Sequence, residues 1–205
     1  MYTQEMIDRI AEYALNAGRA AQHGESGITL GTGTTVQRLN LLDVGMCQRF
    51  VRQIVETACG FKAFGWRYAT AHAKDALAAM SASGLRRDGG IDPLPGDIGG
   101  HRRGKSGHIG IYVGLVDGVP TVAENTTGIR GNPRRSGTKL TPLSDFTGTE
   151  WYRLPMAPVP AKQETVPIKI MRVTADGYKI IHEFEMHPDG DHIKDQGKVY
   201  VLSGD

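Results

Sequence analysis

A cysteine that attacks a carbonyl carbon must be partly thiolate near neutral pH, and a helix N-terminus or a neighbouring imidazolium supplies the positive potential that allows it. The chain has two cysteines, Cys47 and Cys59. Cys47 opens the stripe Cys47, Phe50, Val51, Ile54, Val55 and Ala58, which repeats at helical spacing and stops at Cys59-Gly60. The sulfur is therefore predicted in the first turn of a helix, facing inward. Such a cysteine is often only a small core residue. A histidine changes the reading: His108 starts the run His108-Ile109-Gly110-Ile111-Tyr112-Val113, a strand pattern. Period-2 alternation puts Ile109, Ile111 and Val113 on one face and His108, Gly110 and Tyr112 on the other. Gly110 leaves a gap beside the imidazole, through which the helix carrying Cys47 is expected to approach.

A general base needs a third group to fix its tautomer and ring orientation. Asp117-Gly118 is a two-residue hairpin signal leading into Thr121-Val122-Ala123-Glu124, with Asn125 next. A plain two-residue turn would pair Tyr112 with Ala123 and Gly110 with Asn125, favouring Asn125. A longer or bulged connection would favour Glu124. Both residues stand as candidates. The oxyanion would be met by the Cys47 backbone N–H, with Asn40 or Gln37 as side-chain donors.

Four segments in order carry a family resemblance: Cys47-Gln48-Arg49-Phe50-Val51, Pro95-Gly96-Asp97-Ile98, Gly107-His108-Ile109-Gly110-Ile111-Tyr112-Val113-Gly114 and Ala123-Glu124-Asn125-Thr126. Together they resemble the NlpC and CHAP cell-wall hydrolases over roughly residues 40 to 130. The string around His108 and the preceding Gly-Asp are the most diagnostic parts. The resemblance implies a papain-like fold and cleavage of an amide bond in peptidoglycan, with Cys47 as nucleophile, His108 as base and a third polar residue on the following strand, for which CHAP-type enzymes often use glutamate. The NlpC nucleophile segment usually reads Asp-Cys-Ser-Gly. Here Met46 and Gln48 flank Cys47, closer to the CHAP manner.

Other signals compete. Gly99-Gly100-His101-Arg102-Arg103-Gly104-Lys105-Ser106 spells the P-loop pattern. A phosphate cradle needs an apolar strand before it and a helix after it, whereas Pro93 and Pro95 precede this segment and a strand follows. It is read as a glycine-rich hairpin whose Arg102, Arg103 and Lys105 are solvated or attract an anionic substrate. His187-Pro188-Asp189-Gly190-Asp191-His192, with Asp195 nearby, offers ligand atoms but lacks EF-hand spacing, so it reads as an Asp/Gly turn. No metal or cofactor is expected.

The elements that must position these residues follow from patterning. A helix is predicted from about Thr3 to Ala21, weakened by Gly18, then a loop from Gly24 to Gly45. The Cys47 helix comes next, then a third from Tyr68 to Ser81 that stops at Gly84. Strands follow, with Glu150 to Leu154 the last of the main domain. Helices first and strands afterwards indicate an α+β, papain-like catalytic domain over 1–154. Residues 155–167, with Pro155, Pro158, Pro160 and Pro167, read as a linker. Residues 168–205, with runs Ile168 to Val173, Tyr178 to Met186 and Lys198 to Leu202, read as a small β module that leans on the main domain.

A chain of 205 residues with a formal net charge of +2 demands neither nucleic acid nor a membrane surface as partner. Met1 to Met6 carries no basic leader or apolar core, so the chain is expected to reach the wall by phage release, in a virion or through a dedicated secretion system. The expected partner is bacterial peptidoglycan, with phage virion proteins as further partners. Rival readings are a deamidase or acyltransferase effector of the same fold, and a non-catalytic wall-binding or virion structural protein.

Overall fold

In the computed structural model, Thr3 caps the first helix, α1 (Gln4–Gln22): its hydroxyl oxygen accepts the Met6 N–H at 3.2 Å. The residues described are 1–31, 35–62, 64–87, 92–127 and 137–156, followed by the backbone of four strands between 166 and 201. The inward face of α1 is built from Ile7, Ile10 and small residues, Ala11, Ala14, Ala17 and Gly18. Gly18 is a packing requirement: a Cβ there would meet Leu140 Cδ2 at 2.3 Å.

Two stretches differ from the sequence expectation. The segment predicted as loop before Gly45 contains a hairpin, β1 (Gly27–Leu30) with β2 (Gln37–Asn40), in which Leu30 and Leu39 are buried. Ile28, Leu30 and Leu39 are spread thinly among Gly and Thr, which hid the alternation. The second helix, α2 (Cys47–Cys59), starts and ends where its stripe predicts, closed by Gly60 in the left-handed conformation at φ 75°. The third, α3 (Ala73–Ala82), is shorter than expected. Residues 68–72 lie outside the helix, and Thr70 Oγ1 donates to the His72 carbonyl at 2.7 Å, a local bond that competes with helix.

The remaining strands are β3 (Arg86–Arg87), β4 (Ile98–His101), β5 (His108–Val116), β6 (Val119–Asn125), β7 (Thr138–Pro142) and β8 (Glu150–Tyr152). They form one antiparallel sheet in the order β3-β8-β4-β5-β6-β7. With three helices among the described residues, the architecture is α+β. Ile109 and Ile111 pack with Ile10, Ala14, Val51 and Ile54 in the main core, all of them without exposed surface. Each such side chain contributes about 1.5–3 kcal/mol by leaving water. The other face carries a smaller cluster of Tyr112, Val122 and Phe146, against which Leu143 and Trp151 pack.

Asp97 anchors the sheet edge from a buried position. Its carboxylate accepts Arg87 Nη1 at 2.8 Å, Arg153 Nε at 2.9 Å and the Leu94 N–H at 2.8 Å. Gly96 beside it has φ 88° and lies against Ile7, so the Pro95-Gly96-Asp97 segment serves the fold.

The chain divides into two units, Met1–Ala157 and Pro158–Asp205. Pro155 and Met156 still belong to the first: the Tyr2 N–H donates to the Pro155 carbonyl at 3.0 Å, and Tyr2 bridges Met156. The second unit contains two antiparallel hairpins, β9 (Val166–Thr174) with β10 (Gly177–Met186), and β11 (His192–Asp195) with β12 (Lys198–Val201). The Asp/Gly turn at 187–191 lies outside the described residues. Among the described residues, no helix is long and apolar enough to cross a membrane.

Candidate active site

Cys47 is the first residue of α2, and its position follows from how that helix begins. Met46 occupies the N-cap without a side-chain cap, and the first helical bond runs from the Phe50 N–H to the Met46 carbonyl at 2.8 Å. The N–H groups of Cys47, Gln48 and Arg49 therefore precede the hydrogen-bonded ladder and keep the positive end of the helix open. Cys47 is 8% exposed, and its thiol lies close enough to the His108 side chain to help hold that ring protonated.

His108 opens β5 and is held on its other side by Glu124. Its Nε2 lies 2.5 Å from Glu124 Oε2, so Nδ1 is the ring nitrogen left for the thiol. Glu124 is 4% exposed and fully engaged: Oε1 accepts the Thr141 hydroxyl at 2.5 Å and pairs with Lys139 Nζ at 3.2 Å. These bonds fix the carboxylate, which fixes the imidazole.

The electrostatics follow. Burial alone would lower the His108 pKa, but the interactions with the Cys47 and Glu124 side chains and the negative charge of Glu124 outweigh it, and the pKa rises to about 9. Burial would raise that of Glu124, but its bonds to His108 and Thr141 and the charges of His108 and Lys139 hold it below the usual carboxylate value. At neutral pH the pair is imidazolium and carboxylate, and the imidazolium stands beside the sulfur.

Which neighbour orients the ring is decided by a β-bulge. The Asp117-Gly118 turn forms with φ 51° and 80°, and Val116 pairs with Val119 as a two-residue hairpin requires. The register then slips by one between Tyr112 and Gly114, so that Gly110 pairs with Glu124 and Tyr112 with Val122. Gly114 has φ 90°, a conformation that glycine adopts at little cost. The register expected from an unbulged turn is therefore corrected, and Glu124 shares the face of His108.

Asn125, the other candidate, points from the opposite face and does not touch the imidazole in the described contacts. Its Oδ1 accepts the Met46 N–H at 2.7 Å, while Nδ2 donates to the Asp43 carbonyl at 2.7 Å and to Thr138 Oγ1 at 3.1 Å. The Gly45 N–H adds a bond to the Thr126 carbonyl at 2.6 Å. Asn125 thus clamps the loop that delivers Cys47, a role that sequence reasoning did not foresee.

Three further expectations are corrected. The gap at Gly110 is filled by Val122 Cγ1 and Phe146 Cε2, which a Cβ would meet at 2.8 and 3.2 Å, and not by α2. Gln37 bonds Thr57 at the far end of α2, roughly 15 Å along the axis from Cys47. Asn40 is spent on its own turn, donating to Asp43 Oδ1 at 2.9 Å and accepting the Leu42 N–H at 3.0 Å. Neither is placed at the thiol, which leaves the backbone N–H groups of α2 as the candidate oxyanion donors. The P-loop-like segment forms the β4–β5 hairpin. Within it Arg102 pairs with Glu150 at 3.1 Å and Arg103 bonds the Thr147 carbonyl at 3.2 Å.

Cys47 stands where two clefts meet. One, of about 420 Å³, is lined by His101, His108, Glu124, Lys139 and a run of hydroxyl side chains. The other, of about 340 Å³, is lined by Gln48, Arg49, Arg52, Thr70 and His72. Gly45, Cys47 and Ser106 border both. Cys59, by contrast, is a free thiol in the core, and burial pushes its pKa up to about 12 despite the nearby Arg9. Sequence reasoning missed His101 and Lys139. The signal for His101 was available in the seven-residue spacing to His108 across a glycine-rich hairpin. Comparison with protein-family models, with curated proteins and with solved structures finds no match to this chain.

Proposed function

We propose that this protein is a papain-like cysteine hydrolase, akin to the NlpC and CHAP enzymes, which cleaves an amide bond of bacterial cell-wall peptide as an endopeptidase or N-acetylmuramoyl-L-alanine amidase. The observation that carries the reading is the Cys47 thiol beside His108, whose ring Glu124 holds at 2.5 Å, at an uncapped helix N-terminus that borders an open cleft. A structural histidine has no need of a buried carboxylate that keeps it charged against its own burial.

The chemistry is acyl transfer. The Cys47 thiolate adds to the amide carbon, and the oxyanion is met by the N–H groups at the start of α2. The C–N bond breaks as His108 passes its proton to the leaving nitrogen, which departs as an amine and leaves a thioester on Sγ. Water then hydrolyses the thioester, releasing a carboxylic acid and restoring the thiolate. The two clefts meeting at Cys47 fit a substrate with groups on both sides of the scissile bond, which favours a peptide chain over a small terminal amide.

The test is digestion of purified peptidoglycan by the full chain and by Cys47→Ala, with released fragments read by mass spectrometry. New amino groups with wild type and none with the variant are expected, and the fragment masses name the bond. Equal release by both would eliminate Cys47 as the nucleophile.

A further inference from the structure

The two clefts that meet at Cys47 differ in charge. The one of about 340 Å³ is lined by Arg49, Arg52 and His72, with Gln48 and Thr70, and by no acidic side chain among the described residues. The larger cleft is mixed, with Glu124 and Asp145 beside His101, His108 and Lys139. Of the two arginines, Arg49 is half exposed and leans on Asp43 at 3.3 Å. Arg52 is only 17% exposed and is held from two sides. Its guanidinium carbon lies 4.5 Å from the centroid of the Phe64 ring, and its Nε stands 3.9 Å from Glu56 Oε2, too far for a hydrogen bond. No group among the described residues accepts a hydrogen bond from it. Phe64 is 74% exposed and has φ 65°, a costly conformation for a bulky residue, and strain of that kind persists mainly at ligand clamps and active sites. A guanidinium fixed in this way, with its N–H groups unused, is set to receive an anion.

We propose that Arg52 selects the substrate by pairing with a carboxylate on its acyl part. The inference rests on Cys47 being the nucleophile and on His108 protonating the leaving nitrogen. That nitrogen must come within hydrogen-bond reach of His108, which lines the larger cleft and not the smaller one. The leaving amine therefore occupies the larger cleft, and the acyl part runs into the smaller one. There it follows the face of α2 that Gln48 and Arg52 share, four residues apart. Arg52 is five residues beyond Cys47, roughly 7.5 Å along the axis, a distance that about two residues of extended peptide span. The carboxylate thus belongs to the acyl residue or to its neighbour. Glu56, 1% exposed, offsets part of the Arg52 charge, but it approaches from the Nε side. Of the two bonds named above, the endopeptidase one is favoured, because the acyl part of a muramoyl amide has no free carboxylate.

The experiment compares two activated esters that any competent thiolate can attack. Mono-p-nitrophenyl adipate ends its acyl chain in a carboxylate, and p-nitrophenyl hexanoate ends it in a methyl group. The quantity read is the ratio of kcat/KM for adipate to that for hexanoate, in which a general defect of the thiol cancels. Arg52→Gln is expected to lower the ratio by about tenfold or more, as loss of a hydrogen bond to a charged group does. Arg52→Lys should keep part of the preference. Because Arg52→Gln leaves the buried Glu56 without its cation, Arg52→Gln is also combined with Glu56→Gln. The same fall is expected in the double variant, while Glu56→Gln alone should hold the wild-type ratio or exceed it. A ratio within about twofold of wild type in both Arg52→Gln chains, or an equal fall in Glu56→Gln alone, would overturn the assignment. Nitrophenolate release by wild type no faster than by Cys47→Ala would instead sink the nucleophile reading itself, and this inference with it.

Discussion

Glu124 stands opposite Gly110 across the β5–β6 hairpin, and it does so because Val113 is an extra residue in the bulge between Tyr112 and Gly114. From that register one carboxylate oxygen reaches His108 while the other takes Thr141 and Lys139. The left-handed φ of Gly114, 90°, makes the bulge possible. Gly114→Val is therefore expected to cost about 1–3 kcal/mol and to loosen the His108–Glu124 bond. Thermal melting would register the first effect, and NMR titration of the His108 ring would register the second as a pKa moved down from about 9. An unchanged titration would show that the bulge is not what holds the register.

The His108–Glu124 pair makes stability depend on pH in two windows. The folded pKa of His108 is raised from 6.5 to about 9. Its contribution is thus fully present below pH 6.5 and is lost as pH rises through about 9. Glu124 is shifted down from 4.5, so its contribution is present above that value and is lost as pH falls through its lowered folded pKa. Urea unfolding between pH 6 and 9.5 should show stability falling by on the order of 2 kcal/mol, with the slope largely removed in Glu124→Gln. A slope that survives that substitution would assign the dependence to other groups.

Asn125 acts on Cys47 through the loop that ends at Met46, so its loss should be felt as misplacement of the thiol. Asn125→Ala removes bonds to the Met46 N–H, the Asp43 carbonyl and Thr138. A stability loss of about 1–3 kcal/mol is expected, together with slower alkylation of Cys47 by iodoacetamide at pH 7. Asn125→Asp keeps an acceptor for the Met46 N–H but offers the Asp43 carbonyl no donor, and should fall between the two. Alkylation at the wild-type rate in Asn125→Ala would show that the clamp does not set the position of the thiol.

Gly18 inverts the usual helix rule. Replacing glycine by alanine inside a helix ordinarily stabilises by roughly 0.5–1 kcal/mol, yet here the new methyl would meet Leu140 Cδ2 at 2.3 Å and Cγ at 2.6 Å. Gly18→Ala is expected to destabilise by about 1–3 kcal/mol through overpacking, and adding Leu140→Ala should recover part of that loss. Calorimetric melting of the single and double variants decides it, and a stabilised single variant would contradict the packing described for α1.

Much of the frame could be read from local pattern. The stripe from Cys47 to Ala58 predicted α2 to within a residue, because a helix with one buried face writes its period into consecutive positions. The alternation after His108 and the Asp117-Gly118 dipeptide predicted the central hairpin for the same reason. Short strands without a clear alternation, β1, β2, β3 and β7, escaped notice, since their pairing partners, and not their own residues, make them strands.

Residue types and order along the chain already named a cysteine at a helix start, a histidine at a strand start and two polar neighbours on the next strand. Only the tertiary structure chose between those neighbours, because a one-residue bulge reverses every side chain beyond it and leaves the composition of the strand unchanged. It also assigned Asn125 to the loop before α2 and set His101 beside His108. Cross-strand register and loop closure join residues far apart in the chain, and they depend on how the whole sheet packs, which no short window of sequence contains.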